Sequence, residues 1–353
     1  MQIIHPSEVE QIPEGEAEAI QKIIDIELRL LQRRVAQDHL GSPDRPVPRA
    51  QHPKHHGCVR ADFVIADDIP IDFRYGVFRE PGKVFPSWIR FSNARKLDDR
   101  ETGGHGMAIK LMQVAGDRGR AGEQHDQSQD FLLLDNPVFF IKNAVEFAEF
   151  DQALLKSKVS QWGKLSVLWY FLRHPREFWI LRQIEKNQCS DPLGTKYWSV
   201  TPYKLGKGAV KYMTMPRADG PPVATIQSGD QLRTAMKTHL QTRDAYFDFC
   251  VQPRVDATEQ PIEDATRLWR SSPQKVATIH IPCQSFDSPE QMEFCENISF
   301  SPWQALDDHR PLGSLNRMRK ATYVALSDFR HRENRVPNIE PTPETLQSGK
   351  RAS

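Results

Sequence analysis

The chain has little that would mark it as secreted, membrane-spanning or nucleic-acid-binding. Only five of its 353 residues are cysteines (Cys58, Cys189, Cys250, Cys283 and Cys295), and no two form a C-x-x-C pair. An odd, dispersed set in a long chain predicts reduced, mostly buried thiols and argues against a disulfide framework. Charge of one sign is also missing. Forty-seven basic residues face 46 acidic ones, for a net charge of +1. Neither a nucleic-acid partner nor a solvating acidic tail is expected from that balance. No run of about 18 apolar residues occurs, which predicts no transmembrane segment. The opening MQIIHPSEVEQIPEGEAEA has no basic region followed by an apolar stretch, so no signal peptide is expected. These absences leave a cytoplasmic globular protein as the expectation, built as one large domain or two tightly joined ones.

What is present alternates between short apolar segments and amphipathic ones. Residues 15–35 carry Ile20, Ile23, Ile24, Leu28 and Leu31 at helical spacing. A proline-rich stretch, 42–53, cannot continue that helix. Four segments with strand character follow, VRADFVI (59–65), WIRFS (88–92), GMAIKLMQV (106–114) and DFLLL (130–134). Two more come later, AYFDFCVQPRV (245–255) and KVATIHIP (275–282). Crossover helices do not alternate with them, which predicts an α+β chain with an antiparallel sheet or barrel. Helices are expected at 137–155, at 160–186 with a break or kink at Pro175, at 230–240, and from Ser314 or Asn316 to about His331.

Three segments could carry chemistry. In NRMRKATYVALSDFRHR, Arg319, Tyr323 and Arg330 stand at i, i+4 and i+11 and share one helix face. An arginine beside a tyrosine favours the phenolate, a hard oxygen donor suited to ferric iron. A buried tyrosine simply hydrogen-bonded to its neighbour would read the same way. In RAQHPKHHGCVRADFVI, Arg49 precedes His52 by three residues, and His55 and His56 follow. No carboxylate or cysteine at fixed spacing completes a metal set, so a solvated basic loop is expected for His55 and His56. His52 differs in standing just before a strand with an arginine within reach. In DNPVFFIKNAVEF, the phenylalanines Phe139, Phe140 and Phe147 read as a helix packed on a core or as a wall for a cofactor.

Taken together and in order, these blocks resemble the catalase superfamily. The family's distal segment, R-x-x-H-x-K followed by glycine, a small residue and phenylalanine, is met by Arg49, His52, Lys54, Gly57, Ala61 and Phe63. Its V-R-F-S strand is met by Ile89, Arg90, Phe91 and Ser92, and its G-F-A-x-K strand by Gly106 to Lys110. Its P-x-F-F-I-R-D segment with a later phenylalanine is met by Pro137 to Asn143 and Phe147. Its proximal R-x-x-x-Y, with an arginine seven residues on, is met by Arg319, Tyr323 and Arg330. The resemblance spans roughly 45–335 and is thin between 155 and 310. The chain has no room for the C-terminal helical domain of full-length catalases, and so is similar to small catalase-related haem peroxidases and to catalase-related allene oxide synthases.

The resemblance implies a catalase-like barrel with haem b between it and the last helix. Tyr323 would be the iron ligand, Arg319 its partner and His52 the distal acid/base. Arg49, Arg90, His105 and Arg330 would contact the cofactor, and Val59, Phe140 and Phe147 would wall it. Three positions depart from the pattern. Leu134 stands where catalases carry the distal asparagine, with Asp135 or Asn136 as candidates to replace it; His105 replaces an arginine; and Gln51 replaces an apolar neighbour of the distal histidine. The implied activity is a peroxidase using hydrogen peroxide or organic hydroperoxides, with lipid-hydroperoxide rearrangement, weak catalase activity, or haem carriage or sensing as alternatives. A homo-oligomer, a dimer, is the implied state. The expected organisation is a helical arm over 1–40, the haem domain over 41–335 with a helical insertion near 155–190, and a Pro-rich tail over 336–353. The insertion carries Trp162, Trp169, Tyr170, Phe171, Phe178 and Trp179. It reads either as a helical pair packed on the barrel or as an apolar entrance for lipid hydroperoxides that touches a membrane surface.

Overall fold

In the computed structural model, the described residues are 10–42, 44–119, 127–159, 163–217, 227–338 and 340–345. Trp162 and half of the Pro-rich tail lie outside them.

Alternation along the strands builds the fold. In β1 (His55–Ile65), Val59, Ala61, Phe63 and Ile65 all join one buried cluster, two residues apart. The same odd-numbered rhythm puts Phe85, Ile89 and Phe91 of β2 (Val84–Asn93), Met107, Ile109 and Leu111 of β3 (His105–Met112), and Phe131 and Leu133 of β4 (Ser128–Leu134) into that cluster. Even-numbered residues of these strands face the other way.

The remaining strands are β5 (Tyr197–Trp198), β6 (Tyr203–Leu205), β7 (Gly208–Pro216), β8 (Ala245–Pro253) and β9 (Gln274–Ile281). All pairings are antiparallel, in the order β5-β4-β3-β2-β1-β9-β8-β7-β6. A further pairing of β5 with β7, through Tyr197–Thr214 and Trp198–Met213, closes eight strands into a barrel. The antiparallel expectation holds. The three strands β5 to β7 were not foreseen, because they lie where neither clear alternation nor the resemblance reaches.

Aromatic side chains fill the barrel. Phe131 sits 4.9 Å from both Tyr212 and Phe249, and Phe63 lies 5.0 Å from Phe249. Side chains thus pack the barrel interior among the described residues.

Seven α-helices occur among the described residues: α1 (Glu16–Asp38), α2 (Ala144–Val159), α3 (Lys164–Arg173), α4 (Pro175–Ile184), α5 (Gln231–Leu240), α6 (Pro289–Asn297) and α7 (Ser314–Asn334). The helix expected from residue 137 begins seven residues later. Asn143 Oδ1 accepts from the Glu146 amide at 3.0 Å, so the cap sits after the Phe139–Phe140 pair, which stays in irregular backbone. The expected break at Pro175 is observed: the chain turns at His174, and Pro175 opens α4 at a position that needs no amide. Helix α6 was not foreseen, although Ser288 caps it by accepting from Gln291 N (3.2 Å) and Pro289 follows at once. Beyond α7, Glu340 returns to the barrel and pairs with Lys110, itself paired with Asp130 (2.9 Å).

Candidate functional site

A cavity of about 360 Å³ lies between the outer face of β2 to β4 and the helices α1, α2, α4 and α7. The barrel side presents the even-numbered positions Arg90, Ser92, Gly106, Ala108, Leu132 and Leu134. The face of α7 supplies Leu315, Met318, Arg319, Thr322, Tyr323 and Arg330, all at helical spacing.

His52 is held from three sides. Its backbone amide donates to Ala94 O (2.9 Å), Arg90 donates to its carbonyl (3.0 Å), and its Nδ1 pairs with Ser92 Oγ (3.0 Å). The residue takes a left-handed φ of 57°, a region that few non-glycine residues enter, histidine more often than most. Burial, then Arg90, Arg49 and Arg319, push its imidazole down to about 3, so it is neutral at ordinary pH. With Nδ1 committed to Ser92, Nε2 has no hydrogen bond among the described residues.

The other wall carries the tyrosine. Arg319 donates to Tyr323 Oη at 3.1 Å, and its guanidinium stacks over the same ring at 5.2 Å. Arg319 is fixed in turn by Asn316 Oδ1 (3.1 Å) and Thr201 Oγ1 (3.4 Å). Burial opposes its charge, but Tyr323 and Tyr203 outweigh burial and leave it raised.

Three guanidiniums crowd one edge. Arg49 donates to the carbonyls of Glu296 (3.0 Å) and Ile298, at the end of α6. Arg330 donates to Glu296 O (3.1 Å) and meets its carboxylate only at 4.0 Å. Burial, then Arg90 and Arg330, push Arg49 down to about 9. The Nε atoms of both Arg49 and Arg90 are buried with no hydrogen-bond partner. Clustered buried cations with unfilled donors fit an anionic ligand edge.

The helical side holds two carboxyls that sequence reading did not single out, Glu27 of α1 and Asp151 of α2. Burial and the neighbouring Glu27 raise Asp151 to about 8, and its Oδ2 has no partner. Their helical spacing is that of core residues, so no motif signalled them.

Arg49, His52, Arg90, Phe140, Phe147, Arg319, Tyr323 and Arg330 therefore line one cavity. Val59, His105 and Asn136 do not. Val59 shares the inward rhythm of β1 and lies in the barrel core. His105 turns to Asp135, with Nδ1 at 2.7 Å from Oδ2, and Asn136 Nδ2 donates to Val138 O at 2.6 Å. Leu134 lines the cavity itself, as does Gln51. The solvated loop expected for His55 and His56 is overturned: both are buried at the start of β1, where His56 Nε2 pairs with Asn93 Oδ1 (2.9 Å).

No family sequence model and no curated protein sequence matches the chain. Solved structures do. A fungal catalase is similar over 82% of this chain and 59% of its own, at 15% identity and a TM-score of 0.59. Catalase A from Saccharomyces cerevisiae is similar over 80% and 60%, also at 15% identity and 0.59. A bacterial catalase matches over 86% and 60%, at 16% identity and 0.59. The chain thus spans about three-fifths of the length of these catalases. At such identities the likeness speaks to architecture, and the chain has a catalase-like α+β fold, a closed antiparallel barrel with helices around it.

Proposed function

We propose that the chain is a haem-dependent peroxidase that consumes hydrogen peroxide or organic hydroperoxides. One observation carries this reading: the Arg319–Tyr323 pair and the His52–Ser92 pair open onto the same cavity from different walls. The donor set suits haem b. Tyr323 offers a hard oxygen for ferric iron, and the unfilled donors of Arg49 and Arg90, with Arg330 beside them, suit two propionates. Phe140 and Phe147 would flank the macrocycle. When bound, haem supplies the redox-active iron that a hydroperoxide oxidises and an organic donor restores.

The protein's own contribution is proton handling and orientation. Neutral His52 can take a proton at Nε2 from the near oxygen of a hydroperoxide and return it to the far oxygen, so that water or an alcohol leaves. When Ser92 Oγ accepts from Nδ1–H, Nε2 is the nitrogen left free to accept. Arg319 fixes the phenol oxygen by donating to it at 3.1 Å.

Leu134 favours a second reading, rearrangement of a fatty-acid hydroperoxide without an external donor. It puts an alkyl group on the cavity wall where catalases carry an amide, and Asp135 and Asn136 are engaged elsewhere. Mass spectrometry separates the two, because a rearranged product forms without a reducing cosubstrate.

The test is an absorption spectrum of the haem-loaded protein, with steady-state assays on hydrogen peroxide and organic hydroperoxides. A Soret band with ferric-phenolate character, lost in Tyr323→Phe, is expected. A full haem load with no turnover of any hydroperoxide would sink the proposal.

A further inference from the structure

Helices α3 and α4 bury Tyr170 and Ile180 against the rest of the fold and turn a second set of apolar side chains outward. A helix packed on a globular core turns its apolar stripe inward. On α3, Leu165, Leu168, Trp169 and Leu172 follow i, i+3, i+4, i+7 spacing, and all four are exposed, Trp169 at 64%. On α4, Phe178 and Trp179 are exposed in the same way, Trp179 at 67%. The two rows adjoin where Phe171 meets Phe178 edge-on at 5.6 Å. An apolar patch of this kind needs a partner.

The surrounding charge says which. Lys156, Lys158, Lys164, Arg173, Arg182 and Lys186 are exposed, and none is in an ion pair among the described residues. Residues 156–186 include only two carboxylates. Of these, Glu177 is buried, and Glu185 is half-buried and lines the cavity. Tryptophan, phenylalanine and leucine on one face, rimmed by unpaired cations, match the chemistry of an anionic lipid–water interface. A second copy of the chain would bring the same cations against themselves. The patch is also continuous with the cavity, because Leu181 and Ile184 of α4 line it from the inside.

We infer that the α3–α4 hairpin docks the protein onto an anionic membrane surface, and that its substrates are acyl hydroperoxides held in that membrane. The docking stands on the surface alone; the choice of substrate rests on the peroxidase proposed above.

The test uses the full-length, haem-loaded protein and vesicles of phosphatidylcholine with or without phosphatidylserine. Co-flotation with the serine lipid, weaker flotation without it, and quenching of tryptophan fluorescence by brominated acyl chains are expected. The double variant Trp169→Ser with Trp179→Ser should bind about tenfold or more weakly. It should keep its circular dichroism and its turnover of a water-soluble hydroperoxide, and lose turnover of a vesicle-borne one. Absence of vesicle binding by the parent protein, or equal binding by the variant, overturns the inference. So does a dimer in sedimentation that the double variant abolishes, since a second copy would then cover the face. Vesicle binding without turnover of any hydroperoxide upholds the docking and counts against the peroxidase alone.

Discussion

The imidazole of His52 occupies the space that a side chain at Gly106 would need. A Cβ at position 106 would stand 2.5 Å from His52 Cε1 and 2.7 Å from Nδ1, closer than real carbon atoms approach. Glycine in β3 is therefore part of the histidine's position. Gly106→Ala should retain the barrel and haem uptake while lowering peroxide turnover by about 10²-fold, the scale expected for a displacement of about 1 Å. Soret absorbance and steady-state rates measured on one preparation would check it; unchanged rates would remove His52 placement from the mechanism.

His52 also sets a pH dependence. Its imidazole is pushed down to about 3, first by burial and then by Arg90 and Arg49. Between that value and the ordinary 6.5, the unfolded chain binds a proton that the folded one refuses, so acidification through this window destabilises the fold. The rate should show no acid-side fall near 6.5, because the base stays unprotonated. A kcat/KM profile with an acid limb in the usual histidine range would contradict this. His52→Ala should cost roughly 10²- to 10⁴-fold in rate.

Arg49→Gln should weaken haem retention by about tenfold or more, the worth of a charge-assisted hydrogen bond. The substitution leaves Arg90 and Arg330 less crowded, so the haem-free protein should lose less thermal stability than the haem-loaded one. Rates of haem transfer to a scavenging globin and paired melting curves would show it. Equal losses in the two forms would mean that Arg49 serves the fold through the α6 carbonyls alone.

Asp151 gives the opposite sign. Burial and Glu27 raise its carboxyl from 3.8 to about 8. A raised carboxyl contributes stability that is full below the unfolded value and is lost as pH climbs through about 8. Asp151→Asn should flatten that decline, by on the order of a few kcal/mol at the alkaline end. Denaturant unfolding across the pH range measures it, and parallel slopes for the two proteins would refute it.

Much of this was legible in the residues. The period-two rhythm of VRADFVI and GMAIKLMQV announced β1 and β3, and Arg319 and Tyr323 at i and i+4 announced the side-chain pair that α7 displays. What escaped notice did so for physical reasons. The family resemblance implied Val59 as a wall residue, but alternation in β1 turns it inward with Phe63. Asp151 and Glu27 sit at the spacing of core residues, with no motif to mark them, until α1 and α2 pack together and strip their water. His55 and His56 look solvated until β1 and β2 bury them. Cavities form between elements distant in sequence, and no local pattern encodes which faces will meet.

The barrel is closed by a strand of only two residues. Tyr197 and Trp198 bridge β4 and β7, and on the β4 side the bridge is the single pair Leu134–Trp198. Eight strands thus share one weak seam, and its outer edge is Leu134, a wall of the cavity. Amide protons there should exchange with solvent well before those of β1 or β2, since so few ladder bonds resist opening. A barrel built this way should open first at that seam, beside the chamber where its chemistry would occur.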